Sequence, residues 1–191
     1  MSLMQVNPSN TFFFSDPHFD HKNIIVYAHR PFKDVSEMNG ILLQRYNEVV
    51  RDDSLVFFLG DMAFGRESRT PKWWLSQLRG HIIYIKGSHD HGIRPTNTKD
   101  CYDVYVLETG VGKALLTHQP NPMHDAYKKA GVSPWTWMIH GHTHDTQLIN
   151  LQRKSVCVCV EATNYRPISL LQIREAINDA AKKAEVSKMR R

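Results

Sequence analysis

Five short segments place histidine, aspartate or a small polar residue directly after an apolar run: Asp16 with His18, Asp61, Ser88-His89-Asp90, His118, and His142 with His144. Carboxylate oxygen and imidazole nitrogen together suit borderline divalent ions such as zinc, manganese or iron, and the two oxygens of one aspartate can bridge two ions. A single such residue at a strand end is commonly a capping or hydrogen-bonded group. Five in succession call for a shared cause. In an extended backbone, residues two apart point to the same side, so Asp16 and His18 converge, and Pro17 keeps Asp16 out of the right-handed helical region. His142 and His144 form a second pair of this kind. Gly60, Gly87 and Gly141 are read as turn glycines that aim these side chains.

Elements that can carry such residues are legible from the hydrophobic pattern. Strands are expected at Thr11 to Ser15, Leu55 to Leu59, Ile82 to Lys86, Tyr102 to Thr109, Lys113 to Thr117, Trp137 to His140, Gln147 to Asn150 and Ser155 to Val160, with a short one near Pro167 to Leu170. Val35, Met38, Ile41, Leu42 and Val49 recur at helical spacing and predict a helix over Val35 to Val50. A second helix is expected around Pro71 to Leu78, and a basic C-terminal one from Leu171, capped by Ser169. Strand and helix alternate in the first half, which implies parallel pairing. Strands joined by short turns such as Gly110-Val111-Gly112 dominate the second. The fold class is α/β with a mixed sheet, in a single domain over 1–191. Met1 to Leu3 read as a tag remnant, or as part of an N-terminal arm over 1–10.

Composition narrows the field further. Of 191 residues, 41% are hydrophobic and 23% charged, and no apolar stretch is long enough for a membrane span. Three cysteines are too few for a disulfide framework, and a reducing, cytoplasmic setting is expected. Cys157 and Cys159 read as small buried hydrophobes. Between Arg174 and Arg191 six Lys or Arg face three Asp or Glu, so this segment carries +3 of the formal +5. A solvated helix end explains that better than a nucleic-acid arm.

Taken together, Asp16-Pro17-His18, Gly60-Asp61, Gly87-Ser88-His89-Asp90, His118 and Gly141-His142-Thr143-His144 resemble the ordered signature of the calcineurin-like metallophosphoesterases. Phe19 to Ile25, Arg30-Pro31-Phe32 and Asn164-Tyr165-Arg166-Pro167 resemble the small phage-type and bacterial branch of that superfamily. The resemblance implies a four-layer α/β/β/α sandwich of two packed mixed sheets with helices outside. It also implies two divalent ions, manganese, iron or zinc, that hydrolyse a phosphomonoester or phosphodiester through metal-bound hydroxide. The first ion would be held by Asp16, His18, Asp61 and His144, and the second by Asp61, residue 88, His118 and His142. His89 would be the general acid, oriented by Asp90, and His21 and Arg30 would contact the substrate phosphate. Ser88 departs from the pattern, because the family has an asparagine ligand there.

Other readings are weaker. The histidine spacing does not fit a metallo-β-lactamase-type site, and the chain is too short for an amidohydrolase barrel. A scaffold with a weakened metal site is the alternative that Ser88 raises, although every other ligand position is filled. A nuclease is the alternative raised by the pI near 9 and by Trp73, Trp74, Trp135 and Trp137 as base-stacking groups.

Overall fold

Strand β1 (Thr11–Phe14) is buried along its whole length because both of its faces are covered. Phe12 and Phe14 enter one apolar cluster and Phe13 the other, the period-two alternation of a strand between two layers. The computed structural model describes residues 6–90, 100–109, 112–120 and 136–189. Within them, β2 (Leu55–Phe58), β3 (His81–Ile85) and β4 (Cys101–Tyr102) follow β1 in parallel, and β10 (Ile168–Ser169) pairs antiparallel with its other edge. The second sheet has the order β5 (Val104–Glu108), β6 (Lys113–Thr117), β7 (Trp137–His140), β9 (Ser155–Cys157), β8 (Ile149–Asn150). Its two outer pairs are antiparallel and its two inner pairs parallel. Both sheets are therefore mixed, as expected.

Between the sheets lie Phe13, Phe57, Leu59, Ile85, Leu116, Ile139 and Val158. On the opposite face of the first sheet, Phe14, Val56, Phe58 and Tyr84 pack under the helices α1 (Ile24–Tyr27), α2 (Val35–Val49) and α3 (Pro71–Leu75). Helix α2 starts where expected, because Asp34 accepts a hydrogen bond from Glu37 N while the Glu37 carboxylate accepts one from Lys33 N. It buries Met38, Leu42 and Tyr46 at four-residue spacing. Helix α3 is shorter than expected, and α1, a single turn of four apolar residues, is too short for helical periodicity to reveal. Helix α4 (Leu170–Met189) is capped by Ser169, whose Oγ accepts from Gln172 N. Its first turns are anchored in the inter-sheet core through Leu170, Ile173, Ala176, Ile177 and Ala180. Among the described residues no helix is long and apolar enough to cross a membrane.

Two expectations change. The strand expected at Tyr102 to Thr109 is two strands in different sheets, with Asp103 between them. Hydrophobic pattern cannot locate such a crossing, since both halves are equally apolar. The expected α/β class, two packed mixed sheets with helices outside, is found, and the outer face of the second sheet carries the small cluster of Leu115 and Met138. Residues 6–10 are no loose arm: Val6 packs on the inter-sheet core, and the Asn10 amide bonds to Asp53 O and Ser54 Oγ. The remainder of the expected arm or tag (1–5), most of the 110–112 turn and Trp135 lie outside the described residues.

Candidate metal centre

All five polar segments follow parallel strands at their carboxyl ends, where α/β sheets open a crevice. The loops after β1 and β2 run side by side through Asp16 N to Gly60 O (3.0 Å), His18 N to Asp61 O (3.2 Å) and Phe19 N to Met62 O (2.9 Å). The loops after β6 and β7 are joined by Gly141 N to His118 O, and the two pairs meet where His142 N donates to Asp16 Oδ2 at 3.0 Å.

The side chains do not converge by strand alternation. Asp16, His18, Asp61, His142 and His144 all have positive φ, between 49° and 69°. Each is in the left-handed region, which costs a non-glycine residue about 1 kcal/mol or more. Five such residues in one place need the surrounding hydrogen bonds to hold them. The glycines also act differently from expectation. Gly60 has a positive φ, but Gly87 and Gly141 do not. They are required by close approach: a Cβ on Gly87 would fall on the Asp61 carboxylate and amide, and one on Gly141 on Ser15 Oγ and Asp16 Oδ2.

Two clusters result, Asp16 with His18 and His144, and Asp61 with His118 and His142. Each aspartate has one oxygen tied up and one offered. Asp16 Oδ2 accepts from Ser15 Oγ, His142 N and Cys159 Sγ, whereas Oδ1 has no hydrogen-bond partner and lies 3.8 Å from His18 Nε2 and 3.9 Å from His144 Nε2. Asp61 Oδ1 accepts from His89 N at 2.8 Å, and Oδ2 lies 3.6 Å from His18 Nε2 and 3.3 Å from His118 Nε2. That oxygen stands between the two clusters.

The histidines are oriented in the same manner. His118 Nδ1 is 2.7 Å from Leu59 O and His144 Nδ1 is 3.0 Å from Glu161 Oε1, so in both rings Nε2 faces inward. Burial works against the charge of each group here, and the neighbours decide the outcome. His118 is lifted to about 9 against that burial by its bond to Asp61 and by the charges of Asp16 and Asp61. Asp61 is held below the usual carboxylate range, because His118, the His89 amide and His18 outweigh its burial. Burial dominates at Asp16, which is raised, and at His18, which is lowered.

Two expected roles are revised. Arg30 is buried, not a phosphate contact: Nη1 donates to Pro17 O, Nη2 to Asp16 O, and Nε and Nη2 engage Glu161 at 2.9 and 2.8 Å. It braces the first motif from behind. Asp90 does not hold His89, since its carboxylate accepts from the backbone N–H groups of Asp61, Gly87 and Met62. Ser88 stands beside the second cluster, its Oγ 3.4 Å from His142 Nδ1 and 3.2 Å from Gln119 Nε2. His89 is exposed, with its ring 5.6 Å from that of His18, and His21 lies 5.6 Å from His18 on another side. Of the tryptophans, Trp74 is stacked on Phe19 in the core and Trp137 packs between the sheets, so neither is free to stack a base.

Glu161 was invisible to motif reasoning. It sits in a turn with no recognisable spacing to the other residues, and only the fold brings it between Arg30 and His144. Burial raises its carboxyl, but the His144 hydrogen bond and the Arg30 charge hold it below the ordinary value. The Cys159 thiol, read as core filling, also contacts Asp16.

No family model matches the chain. Gene 66 protein of Mycobacterium phage L5 is 26% identical over 201 residues, covering 89% of this chain and 95% of the phage protein. The crystal structure of AQ665 from Aquifex aeolicus, a protein of unknown function, superposes with a TM-score of 0.64 at 24% identity, over 87% of this chain and 98% of that one, and so shares the fold. The uncharacterized protein MJ1445 of Methanocaldococcus jannaschii is 38% identical over 165 residues, 83% of this chain and 86% of its own length. At that identity over most of both chains, the protein belongs to the family of MJ1445.

Proposed function

We propose that the protein is a phosphoesterase of the calcineurin-like metallophosphoesterase superfamily, dependent on two divalent ions of manganese, iron or zinc. One observation carries this reading: the spacing of the inward-facing carboxylate and imidazole atoms around Asp61 Oδ2. Contacts of 3.3 to 3.9 Å between Asp16 Oδ1, His18 Nε2, His144 Nε2, Asp61 Oδ2 and His118 Nε2 are mostly long for hydrogen bonds. They match the edges of a coordination shell, where ligands about 2.1 Å from one ion stand roughly 3.4 Å apart. Asp16 Oδ1 and both His18 nitrogens are buried without partners. Leaving a buried polar atom unsatisfied costs about 1 to 3 kcal/mol, a cost that bound cations would relieve. The donor set thus fits the ions. Asp16, His18 and His144 would hold one and His118 and His142 the other, with Asp61 shared and Ser88 beside the second.

Ions held there would supply charge for the phosphoryl oxygens and lower the pKa of water. The chain does the rest. Asp16 and Asp61 keep one oxygen each in a fixed direction because the other is bonded to the protein. His89, exposed and with its ring 5.6 Å from that of His18, would give a proton to the departing ester oxygen. Phe19 and Met62, next in the chain to His18 and Asp61, are fully buried in the core under the helices and anchor the two loops there.

The test is manganese loading with elemental analysis, beside hydrolysis of bis-nitrophenyl phosphate, in the wild type and in His144→Ala. We expect two ions in the wild type, one or fewer in the variant, and at least a hundredfold loss of turnover. Wild-type protein that takes up no ion under loading would overturn the reading.

A further inference from the structure

Around the mouth of the candidate centre, side-chain rings close a circuit. His18 and His89 are 5.6 Å apart, His89 and Phe64 4.7 Å, Phe64 and His21 4.8 Å, and His21 and His18 5.6 Å. Tyr27 extends it outward, 6.3 Å from His21. Phe64 is 41% exposed and Tyr27 70%, so neither is placed there by the core. Nor does Phe64 hang on a loose loop. Its N–H donates to Phe19 O, Phe19 pairs with Ala63, and Asp20 pins the following residues through Arg69 N, Ser68 Oγ and Trp74 Nε1. A phenyl ring left 41% exposed at the edge of a charged site forgoes much of the burial that would favour folding. It does suit a ligand that carries a ring and a phosphate together.

We propose that the site takes a small phosphoester whose substituent is a planar aromatic ring, a nucleobase or an aryl group, stacked on Phe64 with Tyr27 as the outer wall. The inference rests on the phosphoesterase reading and names its substrate class. The rim is made of separate rings and not of a continuous apolar channel, which favours a planar group over an alkyl chain. Stacking of one base on one aromatic side chain corresponds to roughly a five- to hundredfold gain in affinity.

The experiment compares three phosphonates, whose carbon–phosphorus bond resists hydrolysis, by calorimetry on manganese-loaded protein: ethylphosphonate, benzylphosphonate and the phosphonate isostere of adenosine 5′-monophosphate. At least one ring-bearing ligand is expected to bind fivefold or more tightly than ethylphosphonate. That advantage should fall to within twofold in Phe64→Ala and persist in Phe64→Trp, with ethylphosphonate affinity unchanged in both. A gain by the adenosine compound alone assigns the ring to a nucleobase, and an equal gain by benzylphosphonate to any planar group. Equal affinities for all three, an advantage that survives Phe64→Ala and Tyr27→Ala together, or no binding at all overturns the inference. Ring-dependent binding without hydrolysis of bis-nitrophenyl phosphate would instead remove the catalytic reading and leave the rim intact.

Discussion

His144 shows how much of a metal ligand's behaviour is set by a residue that would never touch the metal. Its Nδ1 faces Glu161, and Glu161 is fixed by a buried pair with Arg30. In Glu161→Gln the amide oxygen can still accept one hydrogen bond, but the charge that balances Arg30 is lost. We expect first-site manganese affinity to fall about tenfold or more, in the range found for groups that orient metal-bound histidines. The melting temperature should also drop, because a buried guanidinium is left unpaired. A manganese titration followed by calorimetry checks both, and unchanged affinity would mean that His144 is held by its backbone alone. Ser88 gives the complementary case. Its hydroxyl reaches His142 Nδ1 and Gln119 Nε2 but is shorter than an asparagine side chain and a poorer neutral donor. Ser88→Asn should raise second-site manganese affinity about tenfold, read as a lower midpoint in a manganese titration of hydrolysis. An unchanged midpoint would place residue 88 outside the ion's reach.

At the scale of elements, the strand ends are held against one another at distances that side chains would prevent. The turn after β3 lies so close to the turn after β2 that Gly87 leaves no room for a Cβ beside Asp61. Gly87→Ala must therefore push the Asp61 loop away, breaking the bonds from Asp61 N and Gly87 N to the Asp90 carboxylate. Overpacking of this kind costs about 1 to 3 kcal/mol. The variant should fold with a lowered melting temperature and lose stoichiometric manganese binding, as measured by elemental analysis. Retention of both ions would show that the loops yield more easily than their hydrogen bonds suggest. The residues involved were readable as a motif, but their backbone was not. Sequence spacing suggested extended pairs, whereas five of the six clustered residues occupy left-handed turns, a state that local pattern does not encode and that neighbouring loops impose.

For the molecule as a whole, the C-terminal helix divides into a docked and a solvated part. Ala176, Ile177 and Ala180 pack on the inter-sheet core, and the basic residues from Lys182 onward lie beyond them. Truncation after Ala181 should leave the melting temperature within a few degrees, while truncation after Arg174 should lower stability by about 2 kcal/mol for the loss of Ile177 and its neighbours. Thermal unfolding of the two shortened chains separates them, and equal stabilities would mean that the helix contributes nothing past Arg174. The α/β class and the positions of most strands could be read from the sequence because apolar runs and their bounding turns are local signals, and the two packed sheets were implied by the family resemblance. The same holds for the histidines and aspartates at the strand ends, whose types and order carry their chemistry without coordinates. What only the tertiary structure decided was partnership: that Tyr102 and Val104 belong to different sheets, that Arg30 is a buried brace, that Asp90 serves the backbone, and that Glu161 stands behind His144. Each depends on groups far apart in the chain being brought within about 3 Å of a hydrogen-bond partner. The chain packs them there to bury its apolar strands, so no local pattern announces the contact.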